Sequence, residues 1–452
     1  MNMRKTSITR LMVGFAIMVI LCMGLVMPVF ASEPEGPVSS GNESNEADAK
    51  ITKILKIAEG TKIPSGTFTF RFKAKEEAGL SVPEGVMPEI GPMQLAFTEE
   101  ADRPKAKDAV NGVVSIPKET PSIFEGITWP HAGVYVYTVD EIEKSNVQID
   151  YSAARYDVYV YVANKAAGSG LYIAGIAARI VINDEANAGA ATGAKVDPTP
   201  GDGSASYSGL AFTNTYNSKV NETDPTIVSN QKFNVNKTVT GAYGDKTMYF
   251  EFLVDIDKPA TLGEAGAAYN AYVVEMVAGG LDVVTSEKNY ETVEIANNYG
   301  KYITITAGTP VKVNLKHGQH LVITGIHDGA SYIVTETGAE FYTPSAVINE
   351  NGSNTGVELP KGTEGESYST DTEGEGARYI INGNGNKASF ENEYKTITPA
   401  GINPGDLPYI VLAIIALGAL AAYTVFVFRK NEDRKEDRGQ RQSMTEDSVD
   451  QA

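Results

Sequence analysis

Residues Leu210–Tyr216 read LAFTNTY. Apolar and polar residues alternate, which is the period of a half-buried strand. Side chains two apart share a face, so Leu210, Phe212, Asn214 and Tyr216 point one way. Asn214 then stands on an apolar face, where an amide needs a partner. Ala388–Tyr394, ASFENEY, has the same form. Ala388, Phe390, Asn392 and Tyr394 share a face, and the odd member is again asparagine.

Each of these stretches closes a unit whose earlier parts also correspond. The first strand of the first unit is expected at Ile51–Ile57, with Ile51, Lys53, Leu55 and Ile57 on one face. Its counterpart is Phe233–Val239, with Phe233, Val235, Lys237 and Val239 together. TFTFRFK at 67–73 answers MYFEFLVD at 248–255. GVYVYTVDE at 133–141 and ASYIVTET at 330–337 both contain Tyr-x-Val-x-Glu, ending at Glu141 and Glu336. Further strands are expected near 94–98, 112–116, 156–162, 171–182, 302–306, 311–315 and 320–326. Gly-rich loops at 183–208 and 359–377 precede the two closing strands. The chain is thus a degenerate tandem repeat of many short strands with almost no helix, the pattern of all-β sandwich domains.

Each unit puts a Lys, then a Glu, then an Asn on an otherwise apolar face. Burial disfavours charge, so a buried lysine loses its proton more readily and a buried glutamate keeps its own. A neutral amine is a nucleophile, and a protonated carboxyl can polarise an amide carbonyl and move protons. Attack of the amine on the carboxamide carbon would release ammonia and leave an isopeptide bond. A buried Lys–Glu pair capped by an amide would also satisfy all three groups without reaction. Residue pattern alone leaves both readings open.

The two units resemble the isopeptide-bonded domains of Gram-positive major pilins of the streptococcal T-antigen (FctA) type. The resemblance rests on Ile51-Thr52-Lys53, Ile63-Pro64, TFTF at 67–70, GVYVYTVDE at 133–141 and FTN at 212–214. In the second unit it rests on FNVNKTVTG at 233–241, YIVTE at 332–336 and Phe390-Glu391-Asn392. It implies an Ig-like, pilin-type sandwich for residues 51–217 and again for 232–395, joined by a linker at 218–231. It also implies bonds Lys53–Asn214 and Lys237–Asn392, with Glu141 and Glu336 catalysing a single self-crosslinking event. The implied role is a surface structural protein, pilin or stalk, whose partners are other pilin subunits and a sortase. The alternative role is an adhesin on the same stalk, with a host or matrix ligand as partner. Glu391 stands where the family usually has threonine.

The two ends suit export and anchoring. Residues 1–31 have a basic start, an apolar run and Val29-Phe30-Ala31, the form of a secretory signal peptide. Residues 32–50 read as a disordered spacer. Leu407–Phe428 is apolar and uncharged, about 33 Å long as a helix, enough to span a bilayer. The charged tail 429–452 begins with Arg429 and Lys430, which places it in the cytoplasm. The connector 396–406 contains Thr398-Pro399-Ala400-Gly401, where the resemblance calls for a Leu-Pro-x-Thr-Gly-like sorting signal. Ala400 replaces the usual threonine. No lysine lies in 204–213, where a polymerising pilin has one. Both departures weigh against polymerisation.

A net charge of −19 repels nucleic acid and anionic lipid surfaces. The lone cysteine, Cys22, lies in the N-terminal apolar run, so disulfides and Cys-based metal sites are excluded from the exported part. His317, His320 and His327 are expected at a surface turn and in the strand after it. No phosphate loop, zinc spacing or Ser/His/Asp set stands out. Neither a cofactor nor a metal is expected.

Overall fold

In a computed structural model, the structure describes residues 39–143, 148–203, 206–217, 223–290, 296–353, 355–395 and 407–446. The signal-peptide reading at 1–31 and the sorting-like Thr398–Gly401 lie outside these residues. The chain divides into two compact units, one holding most residues up to Tyr216 and the other the residues from Asn217 onward with the short pieces Ile57–Lys62 and Val110–Val113.

The first unit contains β1 Ser39–Ser40, β2 Thr52–Ala58, β3 Gly66–Ala74, β4 Met93–Phe97, β5 Val113–Glu119, β6 Gly133–Glu141, β7 Ile149–Asp150, β8 Arg155–Asn164, β9 Leu171–Ile182, β10 Lys195–Val196 and β11 Ala211–Tyr216. One sheet runs β1-β9-β8-β6-β3-β4, with β10 also on β9. The other runs β5-β2-β11-β7. The inner faces meet through aromatic side chains. Phe70 of β3 lies 5.1 Å from Phe212 of β11, and Tyr156 of β8 packs edge-on to Phe212. Tyr156 Oη also donates to the Ala211 carbonyl at 2.7 Å.

The second unit contains β12 Phe233–Thr240, β13 Phe250–Asp257, β14 Ala268–Val277, β15 Gly280–Val283, β16 Ile303–Thr306, β17 Val311–Leu315, β18 Gln319–Thr324, β19 Ser331–Glu336, β20 Tyr342–Asn349, β21 Val357–Glu358, β22 Tyr368–Ser369, β23 Tyr379–Ile380 and β24 Asn386–Tyr394. Its larger sheet runs β15-β14-β18-β12-β24-β20-β21, with β16 on β14. Its smaller sheet runs β17-β13-β19-β22, with β23 on β19. Its main core of buried residues draws on both sheets, including Phe233, Val235, Phe252, Val254, Val334 and Phe390.

In both units the first long strand and the last lie side by side and parallel. Parallel neighbours need a long crossover rather than a hairpin. Here nearly a whole domain supplies it, so the two ends of each domain meet in one sheet.

Residues 39–50 depart from the expected disordered spacer. Ser39 and Ser40 pair with Ile176 and Gly175, the Ala47 amide bonds the Ile173 carbonyl, and Ala47 and Ala49 are buried. The polar composition hid two alanines that complete the edge of the sheet. The histidines also differ from the surface expectation. His317 Nδ1 accepts the Val239 amide at 2.9 Å, and His327 is buried beside Tyr269. The C-terminal apolar stretch is helical, but the helix α1 runs on through the charged tail, Leu407–Glu446. Its segment Val411–Glu432 is long and apolar enough to cross a membrane.

Candidate functional site

Alternation of side chains builds the site. On β2, Lys53, Leu55 and Ile57 face inward and are fully buried, as is Ile51 just before the strand; on β12, Phe233, Val235, Lys237 and Val239 do the same. Register then sets the spacing. Lys53 stands opposite Phe212 and Lys237 opposite Phe390, so each asparagine lies two residues further along the neighbouring strand, on the same face. A lysine side chain is long enough to cover that diagonal.

The glutamates arrive from the facing sheet. Glu141 ends β6 opposite Phe70 of β3, and Glu336 ends β19 opposite Phe252 of β13. Those two phenylalanines touch Phe212 and Phe390, at 5.1 and 5.2 Å between ring centres. The two sites therefore share one frame: a Phe–Phe contact between sheets, with lysine and asparagine on one side and glutamate on the other.

Within that frame the three polar side chains converge. Lys53 Nζ lies 2.7 Å from Glu141 Oε2, and Asn214 Nδ2 donates to Glu141 Oε1 at 2.9 Å. Lys237 Nζ lies 2.7 Å from Glu336 Oε1, and Asn392 Nδ2 donates to the same oxygen at 2.6 Å. Lys53 and Asn214 are 0% exposed, and Lys237 and Asn392 are 1% and 2% exposed. Each lysine Nζ also sits near a ring on the next strand: Lys53 Nζ is 4.8 Å from the centre of Phe68, and Lys237 Nζ is 4.0 Å from that of Phe250. All six side chains singled out in the sequence thus fall into two matched groups of three.

Burial governs the electrostatics. It pushes both Lys53 and Lys237 down to about 8, against the opposing pull of Glu141 and Glu336. Burial likewise pushes Glu141 and Glu336 up, against the pull of the lysines and the asparagine amides. Both shifts favour the neutral pair.

Sequence reasoning missed what surrounds Asn214. Its Oδ1 accepts the Ser152 backbone amide at 2.6 Å. The buried Asp184 accepts from the Ser152 hydroxyl, the Thr213 amide and the Thr213 hydroxyl. Every residue but proline has a backbone amide, so no sequence signal marks Ser152.

Residues 49–217 match the model of the family described as the Spy0128-like isopeptide containing domain, FctA. The match spans the first domain, from just before β2 to the end of β11. Residues 231–394 match a different model, a domain of unknown function, DUF7601. No curated protein matches the chain. Among solved structures, the major pilin from Streptococcus pyogenes is similar at 18% identity, over 78% of this chain and 100% of that one, with a TM-score of 0.30. The T3.2 major pilin of S. pyogenes serotype GAS13637 is similar at 17% identity, over 77% and 98%, with a TM-score of 0.29. A pilus-presented adhesin, Spy0125 (Cpa), is similar at 11% identity, over 77% and 100%, with a TM-score of 0.22. These likenesses are too distant to transfer residue roles. The FctA domain and its DUF7601 neighbour are tied together by geometry instead, since the second repeats the Lys–Glu–Asn convergence of the first.

Proposed function

We propose that each domain forms its own isopeptide bond, Lys53–Asn214 in the FctA domain and Lys237–Asn392 in the DUF7601 domain. Glu141 and Glu336 are the proton carriers. The neutral Nζ attacks Cγ of the asparagine, and the carbonyl electron pair moves onto Oδ1. The glutamate takes a proton from the attacking nitrogen and delivers one to the departing nitrogen. Oδ1 re-forms its double bond, ammonia leaves, and an amide joins the two strands. The carboxyl is regenerated and nothing else is consumed. Fixed proximity in a buried interior supplies what a separate enzyme would otherwise provide.

One observation carries this reading: a buried lysine and a buried asparagine contact the same buried carboxyl, twice, with matched strand register. An amide-capped ion pair would satisfy the same groups, but it does not require the same Lys–Glu–Asn register to recur in a domain that matches a different family model. The bonds suit a pilin-like structural protein displayed outside the cell. The apolar helix would hold the chain in the membrane at its C-terminus, directly or until a sortase acts at Ala400-Gly401.

Intact mass tests the proposal. The exported chain should weigh less than its sequence by about 17 Da for each bond, the mass of the ammonia expelled by amine attack. Glu141→Ala should restore one such increment and Glu336→Ala the other. A wild-type mass equal to the sequence mass, with free Lys53 and Lys237 peptides after digestion, would refute it.

A further inference from the structure

The two sites differ at the atom where negative charge develops. In the FctA domain, Asn214 Oδ1 already holds the Ser152 amide proton. In the second domain, Asn392 Oδ1 is buried, and among the described residues it has no hydrogen-bond partner; Glu336 Oε2 has none either.

The cause lies in the strand beside each asparagine. The β7–β11 ladder is two pairs long and ends at Asp150↔Thr215. The chain then leaves the sheet, and the Ser152 amide turns to the asparagine side chain rather than to a backbone carbonyl. Asp184 fixes that turn by gripping both the Ser152 hydroxyl and Thr213, the neighbour of Asn214. In the second domain the corresponding strand, β20, continues as an unbroken eight-pair ladder along β24. The residue opposite Asn392 is Pro344, which has no N–H to offer.

We propose that the Ser152 backbone amide is an oxyanion donor for bond formation at Asn214, that Asp184 is its positioning residue, and that the second domain lacks this donor. The proposal rests on the isopeptide reading above. When Nζ attacks Cγ, the electron pair pushed onto Oδ1 meets an N–H already aimed at it. The donor needs no reorganisation, and it is released from the developed charge when ammonia departs. At Asn392 no hydrogen-bond donor among the described residues meets the same charge. The two bonds of one chain therefore form at different rates, the first ahead of the second.

Pulse-labelled full-length chain, denatured at intervals and digested, gives the linked fraction at both sites in the same molecules. The Lys53–Asn214 peptide pair should be fully linked while Lys237–Asn392 is still partly free. Ser152→Pro, which deletes the N–H, should slow the first bond on the order of 10²-fold and leave the second unchanged. Ser152→Gly, which keeps the N–H, should stay within a few-fold of wild type. Asp184→Ala should slow the first bond, and Asp184→Asn, which can still accept from Thr213 and Ser152, should restore part of the rate. Equal rates at the two wild-type sites would overturn the proposal, even if Ser152→Pro fails to fold. So would a Ser152→Pro chain that links at the wild-type rate. Absence of both linkages in wild type would instead overturn the isopeptide reading itself, so the two failures are distinguishable.

Discussion

At the scale of single residues, the site is a problem of proton placement. Burial lowers Lys53 and Lys237 to about 8 and raises both glutamates. The reactive form has a neutral amine beside a neutral carboxyl. It holds one proton between the two groups, as the ion pair does, so the balance between these forms does not change with pH. Adding a second proton keeps the amine cationic. Removing the last one ionises the carboxyl and ends its service as an acid. The rate of bond formation should therefore show a plateau with two falling limbs. The acid limb should lie above the ordinary glutamate range, and the alkaline limb should begin near the lysine value of about 8. Ammonia release from unreacted chain refolded from denaturant, between roughly pH 4 and pH 10, measures this. A rate still climbing at the alkaline end would mean that the carboxyl proton plays no part.

At the scale of elements, the outcome depends on strand register. Lys237 faces Phe390 across β12 and β24, and Thr238 faces Glu391. Deleting Glu391 turns Asn392 to the opposite face, because side chains alternate with period two. Such a chain should lose ammonia once rather than twice, with Lys53–Asn214 still linked and Lys237 free. A second linkage in that variant would show that register does not control the reaction. The same alternation explains what could be read from the sequence. Leu171–Ile182 and Gly133–Glu141 have the predicted bounds because β-branched and aromatic residues recur along both and no proline interrupts them. β20 was not legible, because Pro344 sits inside it and proline argues against a strand. The fold accepts it where β21 does not reach, since β21 pairs only with Val347 and Ile348. β14 was hidden for another reason: its apolar run AYNAYVVEMV has a polar residue out of phase, Asn270. The three site side chains were legible because an ionisable or amide group on an apolar strand face is conspicuous. The Ser152 amide was not, because backbone donors leave no mark in composition.

At the scale of the whole molecule, the proposed bonds would determine where force can travel. Lys53 and Asn214 lie near the two ends of the first domain, and Lys237 and Asn392 near those of the second. A load applied along the chain enters β2 at its start and leaves from β11, two strands that lie parallel and side by side. Without a covalent link, that load must be borne by a parallel ladder of five residue pairs in the first domain and eight in the second. With the link, it crosses from Lys53 to Asn214 and bypasses residues 54–213 altogether, and likewise 238–391. Chain-entropy reasoning, by analogy with disulfides, gives each closure about 5 kcal/mol of stability for loops of this length, but that is an equilibrium quantity. The mechanical effect is larger in kind, because unfolding of the enclosed strands no longer lengthens the molecule. Stretching a single exported chain tests this directly. The Glu141→Ala, Glu336→Ala double variant should unfold in two steps, each releasing on the order of 500 Å of contour at about 3.5 Å per residue. Wild type should release neither length at the same force, and each single variant should release one. A wild-type trace with both steps would place the load path through the hydrogen bonds of the sheets and not through a side-chain bond.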